Sequence, residues 1–219
     1  AFQYVLKLKH GRLISLPGEA QTMGALAHAV IEELFARSKD WTPASAKKEA
    51  EKIYDEFLPL MAAQFLHPGW EVERQRGKKT MGFAASKLVS ILNDADLSVV
   101  GCEISKQKNF QKDKSFEGRI DMLLTRGKKE DFFLDLKWSG SSDYRYREAK
   151  EGQSLQLAAY SWLLTDKEKH FPPGGYYMLA QGDLFACPCS FLSGIHTVSE
   201  LDLEKTWMPD RNEHGQANR

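Results

Sequence analysis

Apolar residues recur at helical spacing through PGEAQTMGALAHAVIEELFARS, residues 17–38, where Met23, Leu26, Ala27, Val30, Ile31, Leu34 and Phe35 form one stripe. The same spacing predicts a second helix over 45–66, SAKKEAEKIYDEFLPLMAAQFL, and a third over 81–95, MGFAASKLVSILNDA. LSVVGCEIS, residues 97–105, reads as a strand, and GRIDMLLTRGKKEDFFLDLKW, residues 118–138, as a hairpin around a turn-like TRGKKE. SLQLAAYSWLLT (154–165) predicts a strongly apolar helix and GGYYMLA (174–180) a further strand. A strand-like FQYVLKL opens the chain, and the polar MPDRNEHGQANR, residues 208–219, reads as a loose tail. After the first helices the order is β, β, β, α, β, which predicts a mixed α/β layer structure. No internal repeat or low-complexity linker is visible, so one domain is expected over 1–207.

Charges sit inside the hairpin strands. Strict alternation places Phe116, Gly118, Ile120, Met122 and Leu124 on one face of the first strand and Arg119 and Asp121 on the other. In the second strand Phe132, Leu134, Leu136 and Trp138 share the apolar face, while Phe133, Asp135 and Lys137 point the opposite way. The expectation is therefore charge on one side and core on the other. A turn centred near Lys128 sets residue 121 opposite residue 135, with Cβ atoms roughly 4.5–5.5 Å apart, a spacing at which like charges repel. A hard divalent ion such as Mg²⁺ or Mn²⁺ between them would relieve that repulsion. Lys137, roughly 7 Å further along, could neutralise the carboxylates or aim a water at a phosphate. On the hairpin alone, a salt-bridge ladder of Asp121 and Asp135 with Arg119 and Lys137 fits equally well, and a one-residue slip would undo the opposition.

Two other elements carry polar exceptions. Gln156 and Tyr160 lie four apart on the apolar helix and so on one face. An unpartnered buried Gln costs on the order of 1–3 kcal/mol, so Gln156 should reach something polar. His28 lies at the border of the first helix's stripe, beside Phe35, where it can look into a cleft between helix and sheet. The other histidines, at 10, 67, 170, 196 and 214, show no ligand spacing, and Ser193 with His196 lacks a nucleophile elbow.

Composition changes little in this picture. The 219 residues are 42% hydrophobic and 27% charged, with 30 Lys+Arg against 30 Asp+Glu, so any nucleic-acid surface must be local. Cys102, Cys187 and Cys189 are too few for a disulfide framework, and Cys187-Pro-Cys189 has no second pair with which to bind a metal. There is no run of ~20 apolar residues and no signal-peptide pattern, which points to a reduced, intracellular protein. Two basic segments bearing aromatics flank the hairpin motifs: KQKNFQKDK at 106–114, and SGSSDYRYREAK after Trp138, with Tyr144, Arg145, Tyr146 and Arg147 interleaved. As flexible loops they suit backbone contact and base stacking on a single strand; they fit solvated surface loops equally well.

Taken in order, Gly118-Arg-Ile-Asp121, Asp135-Leu-Lys137 and Gln156-Leu-Ala-Ala-Tyr160 resemble the motifs of the PD-(D/E)XK nuclease superfamily, above all its RecB-like branch. Gly24-Ala-Leu-Ala-His28 matches the early histidine of that branch, and the leading YVLKL looks like the entry to AddB-type nuclease domains. The implied fold is a restriction-endonuclease-like core, a mixed central β-sheet flanked by helices (αβββαβ), with extra N-terminal helices. The implied activity is Mg²⁺- or Mn²⁺-dependent hydrolysis of DNA, exonucleolytic and directed at single strands or ends, in repair and recombination. In that resemblance Asp121, Asp135, the Leu136 carbonyl and His28 hold the metal, and Lys137 orients the attacking water. Gln156 and Tyr160 contact the strand or buttress the site, and Glu103 matches a further acidic position; apart from the resemblance, Arg119, Tyr144, Arg145, Tyr146 and Arg147 are candidate DNA contacts. The resemblance also implies a helicase domain or subunit as partner and a cytoplasmic, nucleoid-associated location. Some relatives hold an iron–sulfur cluster on four cysteines; with three here, wrongly spaced, no cluster is expected. The same motifs would also fit a silent DNA-binding or scaffolding module.

Overall fold

The computed structural model describes residues 18–111, 114–127, 130–139, 143–150, 154–165, 171–186, 192 and 198–200. The expected N-terminal strand, the polar tail, Cys187, Cys189 and the histidines at 10, 170, 196 and 214 lie outside these residues.

Three helices come first: α1 (Glu19–Arg37), α2 (Pro43–Met61) and α3 (Glu71–Asp94). The stripe from Met23 to Phe35 is buried as its spacing predicts. Thr42 and Ser45 cap α2 reciprocally: the Thr42 hydroxyl accepts from the Ser45 amide, and the Thr42 amide donates to the Ser45 hydroxyl. Pro43 sits in the first turn, where no amide is needed. The second helix ends at Met61 and yields to a 3₁₀ turn, Ala63–Leu66, earlier than the apolar pattern suggests. The third begins ten residues sooner than expected, because the polar run EVERQRGKKT winds its first turns with Gly77 as their one buried residue.

The sheet is mixed. Its strands are β1 (Ser98–Gln111), β2 (Lys114–Arg126), β3 (Glu130–Lys137), β4 (Gly174–Met178), β5 (Asp183–Ala186) and β6 (Val198–Glu200), hydrogen-bonded in that order. Strands β1, β2 and β3 are antiparallel, β4 runs parallel to β3, and β5 and β6 complete the edge. The crossover from β3 to β4 carries two helices, α4 (Asp143–Lys150) and α5 (Leu155–Leu164). Helix α4 corrects the reading of 143–150 as a flexible loop, and strands β1 and β2 correct that of 106–111 and 114. No described helix is long and apolar enough to cross a membrane.

Both faces of the sheet are covered, which corrects the expectation of a single apolar side. Met122, Leu124, Phe132, Leu134 and Leu136 pack with α1–α3, while Ile120, Leu123, Phe133, Tyr176 and Met178 pack with Leu157, Tyr160 and Leu163 of α5. One detail of this division matters for the site. On β2, Met122 belongs to the first layer and Ile120 to the second; on β1, Cys102 packs with the first and Ile104 with the second. Positions two apart on a regular strand share a face. The alternation is therefore reversed at the level between them, where Glu103 holds a left-handed φ of 52° opposite Asp121, as the flanking pairs Cys102–Met122 and Ile104–Ile120 require. Phe116, Gly118 and Ile120 accordingly do not share a face with Met122 and Leu124. Phe116 meets Trp162 edge-on, and Gly118 lies beneath Leu163 and Tyr160.

Strand β4 approaches β5 closely at Gly175, where an added Cβ would run into the Phe185 carbonyl oxygen and lie 2.9 Å from Ala186 Cα. Backbone cannot swing aside as a side-chain tip can. Gly175→Ala should therefore cost about 1–3 kcal/mol, a fall in Tm of roughly 2–12 °C in a thermal melt.

Candidate metal centre

Strand pairing between β2 and β3 runs from Arg126–Glu130 to Met122–Leu134. Continued one step, this register sets Asp121 opposite Asp135, as a turn centred on residue 128 demands. In place of that step, Asp121 Oδ2 accepts the Leu136 amide at 2.8 Å. The carboxylate thus replaces a ladder bond at the level where the face of the hairpin reverses.

Asp121 is 8% exposed and Asp135 not at all. Burial raises the pKa of Asp121, opposed by the nearby His28 and by the Leu136 amide. Burial, and then the charge of Asp121, push Asp135 up to about 7, with Lys137 pulling the other way. Lys137 Nζ lies 2.6 Å from Asp135 Oδ2. That ion pair is the polar contact described for Asp135; neither of its oxygens has a further hydrogen-bond partner among the described residues. A buried carboxylate with one ammonium as its polar partner keeps lone pairs that a second cation could take.

His28 enters from α1. Its Nε2 donates to the Leu136 carbonyl at 2.8 Å, and its Nδ1 stands 3.3 Å from Glu103 Oε1 and 3.8 Å from Asp121 Oδ2. The ligand atoms of His28, Glu103 and Asp121 all lie within 4.8 Å of one another. Glu103 is held on its other oxygen by Arg119 Nε at 2.6 Å. Its strained φ thus occurs where its carboxylate is aimed at the histidine. The tight triad is thus His28, Glu103 and Asp121, with Asp135 beside it and turned to Lys137. The donors are hard oxygens with one imidazole, and Asp135 has Lys137 as its one polar partner among the described residues, so the residues fit a hard divalent cation.

The expectation for Gln156 is met. Its Oε1 accepts from Lys137 Nζ at 3.0 Å, and its Nε2 donates to the Tyr160 hydroxyl at 3.0 Å. Tyr160 is fixed in turn by an edge-on contact with Phe133. The chain Asp135–Lys137–Gln156–Tyr160 ties the end of β3 to α5. Gln156→Ala would leave the ammonium without this support, and turnover should fall about 10–100-fold at unchanged Tm, as loss of supporting hydrogen bonds does elsewhere; steady-state kinetics with a parallel melt check it.

The remaining candidates divide. Arg119 is exposed and paired to Glu103. On α4, Tyr144 and Arg147 face solvent, Tyr146 packs edge-on against Phe185, and Arg145 pairs with Glu148. Sequence reasoning passed over Tyr176, the register partner of Asp135, because an apolar GGYYM strand marks no tyrosine as special. Cys102 is half-buried, and burial pushes its thiol up to about 12, which leaves it unreactive.

A family model described as the PD-(D/E)XK nuclease superfamily matches residues 1–199. No curated protein matches the chain.

Proposed function

The chain belongs to the PD-(D/E)XK nuclease superfamily, and from that premise we propose that it is a Mg²⁺- or Mn²⁺-dependent deoxyribonuclease of the RecB-like kind. In this reading it hydrolyses phosphodiester bonds at strand ends during repair or recombination, alongside a helicase. The observation that carries the reading is Asp135: fully buried, close to the charge of a second buried carboxylate, Asp121, and 2.6 Å from Lys137, with no further hydrogen-bond partner among the described residues.

Asp121, Asp135, Glu103, His28 and the Leu136 carbonyl are the groups that would hold the ion. A divalent cation bound there supplies Lewis-acid polarisation of the phosphate and a lowered pKa for a water. Asp121 is pre-aimed by the Leu136 amide, and His28 by the Leu136 carbonyl, so the donors need little rearrangement. Lys137, steadied by Gln156, keeps a compact positive charge at the mouth of the carboxylate pair. There it can orient a water and offset charge growing on the phosphate oxygens. Tyr160 and α5 close that side against bulk water.

The test is incubation with end-labelled single- and double-stranded DNA in Mg²⁺, in Mn²⁺ and in EDTA. Cleavage with either ion, abolished by EDTA, is the expected result. DNA binding without cleavage under every divalent ion would instead make the chain a silent module, and cleavage of RNA alone would overturn the assignment of substrate.

A further inference from the structure

Arg145 is held in a way a surface arginine is not. Its Nη1 donates to Glu148 Oε2 at 2.6 Å, and its Cζ stands 5.3 Å from the Tyr144 ring centre and 5.7 Å from that of Tyr176. Tyr144 lies on the same helix, but Tyr176 is in β4, paired in register with Asp135. The Tyr176 hydroxyl is bonded to Ser154, the residue that caps α5, so the ring is fixed at both ends. Lys137 Nζ stands over the same ring, 5.9 Å from its centre. Two cations therefore share one aromatic platform at the edge of the metal centre. They are no farther apart than the sum of those two distances, a span of only a few nucleotides of one strand.

An arginine whose role was helix stability would gain about 0.3–0.5 kcal/mol from its Glu148 pair without turning toward the sheet. Here it is turned inward, toward the Asp135–Lys137 pair, with two-thirds of its side chain covered. The bond to Glu148 uses one of five guanidinium donors. The planar fork suits a phosphate and the rings limit its rotamers, so little entropy is lost when it binds.

We infer that Arg145, seated on Tyr176 and latched by Glu148, is a phosphate subsite that grips the substrate strand within a few nucleotides of the bond cleaved. The subsite rests on the nuclease reading above. It recognises backbone and not base, so it adds affinity for the strand without adding sequence preference. Its neighbours serve otherwise: Tyr146 belongs to the core, and Tyr144 covers the outer side of the guanidinium.

The experiment measures binding of a fluorescent single-stranded oligonucleotide across a salt series in a Lys137→Ala background, so that turnover does not consume the probe. Arg145→Gln should lower the slope of log K against log salt by about 0.7, the value of one single-strand phosphate contact. Arg145→Lys, which keeps the charge, should restore the slope while binding more weakly than arginine. In otherwise wild-type enzyme Arg145→Gln should raise KM several-fold and leave kcat nearly unchanged. An unchanged slope in Arg145→Gln overturns the subsite while the nuclease reading stands. A slope that falls and is not restored by lysine also overturns it, since the loss is then structural. A parent protein that neither binds nor, as wild type, cleaves DNA sinks both.

Discussion

Asp135→Asn is expected to abolish hydrolysis and at the same time to make the metal-free protein more stable at pH 8. The two effects share one cause. The Asp135 carboxylate is fully buried beside Asp121, and the Lys137 ammonium offsets only part of that cost, so its ionised form is penalised in the fold. Its pKa stands at about 7 in the folded protein against about 3.9 in an unfolded chain. An acid whose folded pKa is raised favours folding most below pH ~4, and that advantage is lost as pH climbs through 7. Metal-free wild type should therefore lose a few kcal/mol between pH 4 and 8, while the Asn variant should lose much less. At pH 8 the variant should melt roughly 5–10 °C higher in EDTA. Saturating Mn²⁺ should invert the order, since ligand at a hundred times its Kd adds about 2.7 kcal/mol to the wild type alone. Turnover should drop about 10³-fold or more. A variant that melts lower than wild type in EDTA at pH 8 would show that the Lys137 ion pair already satisfies the buried carboxylate.

Lys137→Ala carries the second large effect, and its stability signature runs the opposite way. The ammonium is the cation nearest Asp135 and the donor to Gln156. Removing it strands an ionised carboxylate at pH 8, which should cost about 2 kcal/mol, below the 3–5 kcal/mol of a fully buried pair because Lys137 is a fifth exposed. At pH 5 Asp135 takes up a proton and the cost should vanish. Turnover should fall about 10²–10³-fold, mainly in kcat, since the charge matters most as the phosphate oxygens gain charge. Lys137→Arg should recover the stability at pH 8 but little of the rate, because a planar fork cannot replace a compact ammonium. Melts at the two pH values, with kinetics on all three proteins, separate these outcomes.

The parts of the fold written in regular periodicity were legible in the sequence. The stripe of α1, the β2–β3 register and the need for a polar partner at Gln156 all follow from spacing and from the cost of burying polar groups. The reversal at Glu103 and Asp121 was not legible, because a left-handed φ in a glutamate leaves no mark on composition. Simple alternation therefore put Ile120 on the wrong side of the sheet. Helix α4 was hidden by its polarity: DYRYREAK has no apolar stripe, and its inward residues, Arg145 and Tyr146, look like loop residues until the sheet beneath them is known. The short β5 and β6 strands carry too few residues to show a period. Glu103 became prominent only when β1 was seen to lie beside His28, a contact spanning 75 positions.

The account's central claim is that Asp121 and Asp135 together grip one divalent ion. An anomalous difference map from a crystal soaked in Mn²⁺ tests it most directly. The predicted result is a peak within about 2.0–2.4 Å of an oxygen from each carboxylate. No peak, or one on His28 and Glu103 with Asp135 still turned to Lys137, would contradict it.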